Sequence, residues 1–384
     1  DEVKDKDIDP DSNPAEYFAT MKYPDDHWSH ITSSNGLGEI ADASGYDKGF
    51  GYNLTFWEKK GYIFADVNFV YPNSPAAKAG LKRGDLITHM NGERMTTDNY
   101  TDLYYASQLT LGLSNDETSE PYETKTLTAQ TYAIDPVLDY GLIPLEHLTI
   151  GYMIYTDFVF RGNASLAQLN HVFQTLKAAN IDEFILDLRY NQGGYIFAVK
   201  QLCSLLAPEE VVENEELLIH KSWNKAYQER YANDPDRLEE HFDKSVPLDS
   251  RLNLKRLWVI TSHVTASASE MLISALSPYM KVNVVGDLTM GKNMGGIIYT
   301  PNDKDLQNWN IMLISTEYSN SREESVKGGI PPMFPILEQF HHQHQLGDQE
   351  EPLLAATLQL ITQDTIATPV MNSRSSRSLD TGTP

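Results

Sequence analysis

Ser267 and Lys292 are the two residues whose types and surroundings most directly suggest bond-breaking chemistry. Ser267 lies in Val264-Thr265-Ala266-Ser267-Ala268-Ser269-Glu270-Met271, after the apolar run Leu257–Ile260 and at the start of a helical pattern. A serine there stands at the carboxyl end of a buried strand, where α/β sheets place their ligands. The N–H of Ala268 falls at the helix start, where backbone donors are free to stabilise negative charge. Lys292, in Thr289-Met290-Gly291-Lys292, follows the next strand. A lysine serves as general base when desolvation brings its pKa well below the ordinary value of about 10.4. A second oxyanion donor is available in Asp187-Leu188-Arg189-Tyr190-Asn191-Gln192-Gly193-Gly194, again strand, glycine turn and helix. Gly193 and Gly194 let a backbone N–H approach a ligand. Losing one such donor costs on the order of 3 kcal/mol in acyl transfer.

Each signal has a plainer alternative. Ser267 by itself reads as a helix N-cap, and Glu270 three residues on completes a capping box. Gly193-Gly194 also suits an ordinary tight turn. Gly286-x-x-x-x-Gly291-Lys292 imitates a phosphate loop, but Asn293 replaces the magnesium-binding hydroxyl and Gly295–Tyr299 reads as strand. His341, His342 and His344 crowd together without the partners of a metal motif, so a solvated stretch fits them better. A histidine base is the commoner partner for serine, yet His263 is too close along the strand to reach round to Ser267. Cys203, the one cysteine, sits in an apolar run and reads as a core residue.

The elements that position these residues divide the chain. Residues 1–45 read as an acidic lead-in and a short helical region over Glu16–Ile31. Residues 46–136 are β-rich, with strands at Tyr52–Trp57, Tyr62–Val70, Leu86–Met90 and Lys125–Thr131. Between them lie a short helix ended by Gly80 and an Asn91-Gly92 hairpin turn. Residues 137–361 alternate strand and helix. Strands are expected at Leu148–Tyr155, Phe184–Leu188, Leu257–Ile260 and Val282–Val285. Helices are expected after a Ser165 cap, over Ala198–Leu206 and over Glu270–Leu276. Tyr227–Asp249 reads as a charged insertion and 362–384 as a disordered tail. This pattern predicts an α/β layered domain behind a β-rich one.

The chain has 384 residues, 41% of them hydrophobic, which is enough for more than one core. With 54 acidic against 30 basic residues its formal charge is −24, which argues against nucleic acid as a partner. No apolar run of about 18 residues suggests a transmembrane helix.

In combination the motifs resemble the carboxyl-terminal-processing, or tail-specific, serine peptidases. Thr-Ala-Ser-Ala-Ser-Glu at 265–270 and Thr-x-Gly-Lys at 289–292 stand with nucleophile and base 25 positions apart, the family's spacing. Asp-Leu-Arg-x-Asn-x-Gly-Gly at 187–194 is similar to its oxyanion segment, and Ile150-Gly151-Tyr152 and Gly328-Gly329-Ile330-Pro331 to further landmarks. The resemblance implies a crotonase-like layered peptidase fold with Ser267 as nucleophile, Lys292 as base, and the N–H groups of Ala268 and Gly193 as oxyanion donors. Glu270, Thr289 and Gly194 would support them. It implies neither a metal nor an organic cofactor. Ser74 to Asp85 resembles a PDZ stretch, and Gly51, Tyr52, Asn53 and Leu54 its carboxylate-binding loop. A protein or peptide C-terminal segment would then add as a strand. The family also implies the bacterial periplasm or cell envelope, with a lipid anchor on a removed N-terminal region. Three departures stand out: Thr265 replaces a serine, Pro278 an aspartate and Gly296 a glutamine found in some relatives. The last two leave no third catalytic member. The rival reading is a non-proteolytic PDZ protein with an inert Ser–Lys pair. A hydratase-type enzyme with the same oxyanion hole would need a nucleotide site, which the sequence lacks.

Overall fold

The short apolar runs of the second half are buried on both faces, as parallel strands must be. The computed structural model describes residues 13–24, 26–33, 46–145, 147–159, 163–299, 301–302, 309–339 and 344–363. Most of the expected lead-in and of the expected tail, with His341 and His342, lies outside them. Val137–Pro144, Thr149–Tyr155, Glu183–Asp187, Arg256–Thr261, Lys281–Gly286 and Phe334–Pro335 form one sheet in that order. The first pair is antiparallel and the rest are parallel. Successive side chains alternate between two layers. Phe184, Leu186, Leu257 and Val259 face the helices Asn163–Ala178, Ile196–Leu206 and Ala268–Leu276. Ile185, Trp258, Ile260 and Val285 face the helix Pro352–Gln363. This is the layered α/β architecture that the strand–helix alternation predicts.

A second sheet lies beyond the helix Ala268–Leu276. Trp309–Asn320 pairs with Met294–Tyr299, with Leu217–Trp223 and with the N-terminal strand His30–Ser33. The β-rich unit is a sheet in the order Tyr52–Lys59, Tyr62–Val70, Leu86–Met90, Gln108–Ser114, Glu123–Thr128. Asn91 and Gly92 both have positive φ, 53° and 86°, as a two-residue hairpin turn of the primed type requires.

Several boundaries differ from expectation. Ser165 lies inside its helix, which starts at Asn163, and not ahead of it. The N-terminal helix spans Pro14–Met21, and Ile31 belongs to a strand because it pairs with Ile311, a partner remote in sequence. Lys125–Thr131 is two strands broken at Ala129. Thr362 and Gln363, expected in the tail, continue the helix Pro352–Gln363, and the rest of that expected tail lies outside the described residues. Among the described residues no helix is long and apolar enough to cross a membrane.

The two units meet through buried polar groups. Arg83 donates to Tyr190 Oη (2.6 Å), Glu338 Oε1 (2.8 Å), and the carbonyls of His344 (3.0 Å) and Asn68 (3.1 Å). Arg189 joins the same cluster through Glu351 (2.7 and 2.9 Å), Glu338 (3.1 Å) and Asp187 (2.9 Å). Burial works against the Glu351 carboxylate, but Arg189 beside it holds it below its ordinary value. Removing one partner strands the others, so Arg83→Ala should destabilise by about 3–5 kcal/mol in urea unfolding. A loss under about 1 kcal/mol would show the cluster to be solvated instead.

The seam also holds Asp157. Burial, then the Asp47 charge, pushes its carboxyl up to about 7. Tyr71 and Tyr155 are its other titratable neighbours, and Asp135 acts on both tyrosines. The folded state therefore binds this proton more tightly than the unfolded chain. The resulting stability is present below the ordinary value of 3.8 and is lost as pH rises through about 7. Melting temperature should fall over that window less steeply in Asp157→Asn than in the parent chain.

Candidate active site

The residues around Ser267 are bound to the neighbouring strand's end before the helix begins. Thr265 Oγ1 accepts the Ser262 N–H (2.9 Å) and donates to the Leu188 carbonyl (2.9 Å). The Ala266 N–H (3.1 Å) and Ser269 Oγ (3.0 Å) both donate to the Asn191 carbonyl. The threonine that replaces a serine at 265 thus keeps the bridging hydroxyl. Between these anchors Ser267 takes φ 54° and ψ −114°, a conformation an L-residue rarely adopts. Such sharp strand-to-helix turns project a nucleophilic hydroxyl away from the backbone.

Glu270 is fully buried and faces back across the turn. One oxygen accepts the N–H groups of Ser267 (2.9 Å) and Lys292 (2.8 Å). The other accepts the Gly291 N–H (2.6 Å) and the Thr289 hydroxyl. Glu270 therefore ties the nucleophile turn to the whole Thr289–Lys292 loop, which is more than its share of a capping box. Thr289 Oγ1 in turn accepts the Ile330 N–H (2.7 Å).

Lys292 is half-buried, and burial lowers its pKa while the nearby Glu270 charge opposes the shift. Ser267 and Lys292 line one pocket with Ile219, Met271, Tyr318 and Val326. Among the described residues no histidine lines it. Among the described residues no hydrogen bond joins Ser267 Oγ to Lys292 Nζ; the amine lies 4.6 Å from the centroid of the Trp28 ring. The strand Met294–Tyr299 follows Lys292, so the phosphate-loop alternative lacks its helix.

Gly193 abuts the nucleophile. A Cβ built on it would fall 2.7 Å from Ser267 Cβ and 2.9 Å from the Ala268 nitrogen. Its missing side chain therefore leaves open the space in front of the Ala268 N–H, which has no hydrogen-bond partner among the described residues. The Gly193 N–H, expected as the second oxyanion donor, is engaged within its own turn. It donates to Asn191 Oδ1 (2.8 Å), and Asn191 is fixed in turn on the Tyr155 carbonyl (2.8 Å). The Gly194 N–H is the one without a partner among the described residues.

In the β-rich unit Gly51 has φ 77°, and its carbonyl accepts the Tyr71 N–H (2.8 Å). Tyr52 and Leu54 are buried, with the Tyr52 hydroxyl on the Leu103 carbonyl (2.5 Å), and Asn53 Oδ1 accepts from Asn68 (2.7 Å). Their strand Tyr52–Lys59 pairs on one side only among the described residues, so its other edge is open. Cys203 is buried and its thiol pushed up, as a core residue should be. His344 pairs with Asp348 (3.0 Å), and both are far from full burial. Trp28, Asn191 and Arg83 are the site and seam residues that sequence reasoning missed. Asn191 lay inside a recognised motif, whereas nothing near Trp28 in sequence points to Lys292.

Residues 149–335 match the family model of peptidase family S41, and residues 67–109 match a PDZ domain model. The chain thus combines an S41 peptidase region with a PDZ region. Its curated relatives are named carboxyl-terminal-processing proteases. It is 25% identical over 227 residues to the carboxyl-terminal-processing protease of Synechocystis sp., covering 58% of this chain and 48% of that one. It is 27% identical over 282 residues to the chloroplastic carboxyl-terminal-processing peptidase 2 of Arabidopsis thaliana, covering 70% and 49%. The chain spans about half the length of these curated relatives. A crystal structure from Bacteroides fragilis described as an S41 protease shares the fold, with a TM-score of 0.76 and 24% identity over 94% of this chain and 93% of that one.

Gly193 faces both the nucleophile and the vacant donor. Gly193→Ala should therefore abolish reaction with an active-site serine probe while leaving the far-ultraviolet circular dichroism unchanged. Retained labelling would mean that the turn can retreat from Ser267.

Proposed function

We propose that the chain is a serine endopeptidase using a Ser267–Lys292 dyad on protein or peptide substrates recognised near their C-termini. The observation that carries this reading is the Glu270 carboxylate, which ties a strained serine and a desolvated lysine to one pocket. Neutral Lys292 takes the Ser267 Oγ proton as Oγ bonds to the scissile carbonyl carbon. The carbonyl oxygen becomes an oxyanion held by the Ala268 N–H and by the Gly193 N–H, which it draws from Asn191. The C–N bond then breaks and the amine leaves with the proton from Lys292. Water, deprotonated by the same amine, attacks the acyl carbon and releases Ser267.

The open edge of Tyr52–Lys59 would receive an extended peptide by strand addition, with Gly51 at its carboxylate end. Placement in the bacterial cell envelope or periplasm, with a lipid anchor upstream, follows from the family resemblance. One observation favours the rival reading of a non-proteolytic peptide-binding protein: the Lys292 amine rests on Trp28 and not on Ser267.

Fluorophosphonate labelling decides between them. The parent chain should label at a rate that rises with pH, because only the neutral amine is a base, and the rise should begin below the ordinary lysine range. Ser267→Ala and Lys292→Ala should not label. An unlabelled parent chain at every pH, or a labelled Ser267→Ala variant, would overturn the proposal.

A further inference from the structure

Trp28 is 264 residues from Lys292 in sequence, yet its ring lies over the Lys292 amine at 4.6 Å. Its position is built, not accidental. Asp26 Oδ1 accepts the N–H groups of Trp28 (3.1 Å) and Ser29 (2.8 Å), closing a turn. The next residue joins the sheet: the Ile314 N–H donates to Ser29 Oγ (2.9 Å), and His30 pairs with Met312. The indole is thus anchored to Trp309–Asn320, the same strand that brings Tyr318 to the catalytic pocket. Among the described residues the amine has no hydrogen-bond partner, and the indole ring lies against it.

We infer that Trp28 is a positioning residue for Lys292: its indole face holds the amine beside the pocket and shuts water away from it. This rests on the Ser267–Lys292 reading and adds to it that the N-terminal segment completes the base. Two effects of the ring act in opposite directions. Its π face favours the ammonium, while its bulk denies the ammonium water. The titratable groups on the elements around Lys292 include Glu270 on the helix Ala268–Leu276, Glu317 and Tyr318 on the strand Trp309–Asn320, His220 and Lys221 on the strand Leu217–Trp223, and Asp26, His27 and His30 flanking Trp28. Replacing Trp28 alters none of them.

The two effects separate by substitution. Trp28→Leu keeps the cover and removes the π face. Trp28→Ala removes both. Trp28→Phe keeps both. The readout is the pH dependence of trace acetylation at Lys292, measured by mass spectrometry on the full chain, which reports the free amine whether or not the chain is an active enzyme. The midpoint should move to higher pH in Trp28→Ala, to lower pH in Trp28→Leu, and stay near the parent in Trp28→Phe. A shift of about one pH unit corresponds to about tenfold in the neutral fraction near pH 7. The pH profile of fluorophosphonate labelling should move in step. Midpoints in Trp28→Ala and Trp28→Leu that match the parent, or that move the same way, would overturn the inference. Displaced midpoints with labelling unchanged in Lys292→Ala would support Trp28 as the residue holding Lys292 and sink the dyad reading instead.

Discussion

The site depends on one carboxylate. Glu270 is out of reach of solvent, and an isolated charge there would cost several kcal/mol. It is tolerable because four donors use its lone pairs: the N–H groups of Ser267, Gly291 and Lys292, and the Thr289 hydroxyl. Those donors come from the ends of two adjacent parallel strands, so satisfying the charge also sets the distance between the serine turn and the lysine loop. The same bond from Ser267 N–H secures the turn in its positive-φ conformation, which would otherwise relax. The helix that carries Glu270 begins at Ala268, so the capping carboxylate and the vacant N–H belong to one helix start.

The second tie runs through arginine. Arg83 comes from the β-rich unit, and Arg189 and Tyr190 from the strand end that continues into Asn191 and Gly193. Glu338 accepts from all three of Arg83, Arg189 and Tyr190. Guanidinium forks in fixed geometry make this a stiff joint. The β-rich unit therefore cannot move relative to the peptidase sheet without disturbing the polypeptide that leads directly to the glycine turn. Under the proposed function, peptide engagement in one unit and donor geometry in the other would share a mechanical connection.

Much of this was legible in the residues. The apolar runs around Ile185, Val259 and Val284 read as strands because each is short, β-branched and closed by turn residues. Asn91-Gly92 and Gly80 read as a hairpin turn and a helix end because few residues other than glycine and asparagine accept their φ. Ser165 misled, since a serine before an apolar stretch looks like a cap wherever the helix actually starts. Ile31 misled because its strand exists only through pairing with Ile311.

By itself the sequence determined what is local: the periodicities, the turns, and a serine and a lysine placed after successive strands. It also contained the Glu270 capping-box pattern, a relation of three residues. What only the tertiary structure decided are contacts between segments far apart in the chain. Glu270 reaches the Lys292 loop, Arg83 reaches Glu338, Asn191 takes the Gly193 N–H, and Trp28 covers Lys292. The physical reason is that propensity and periodicity act over a few residues, whereas the partners of a buried charge are chosen by whichever strands the sheet places side by side.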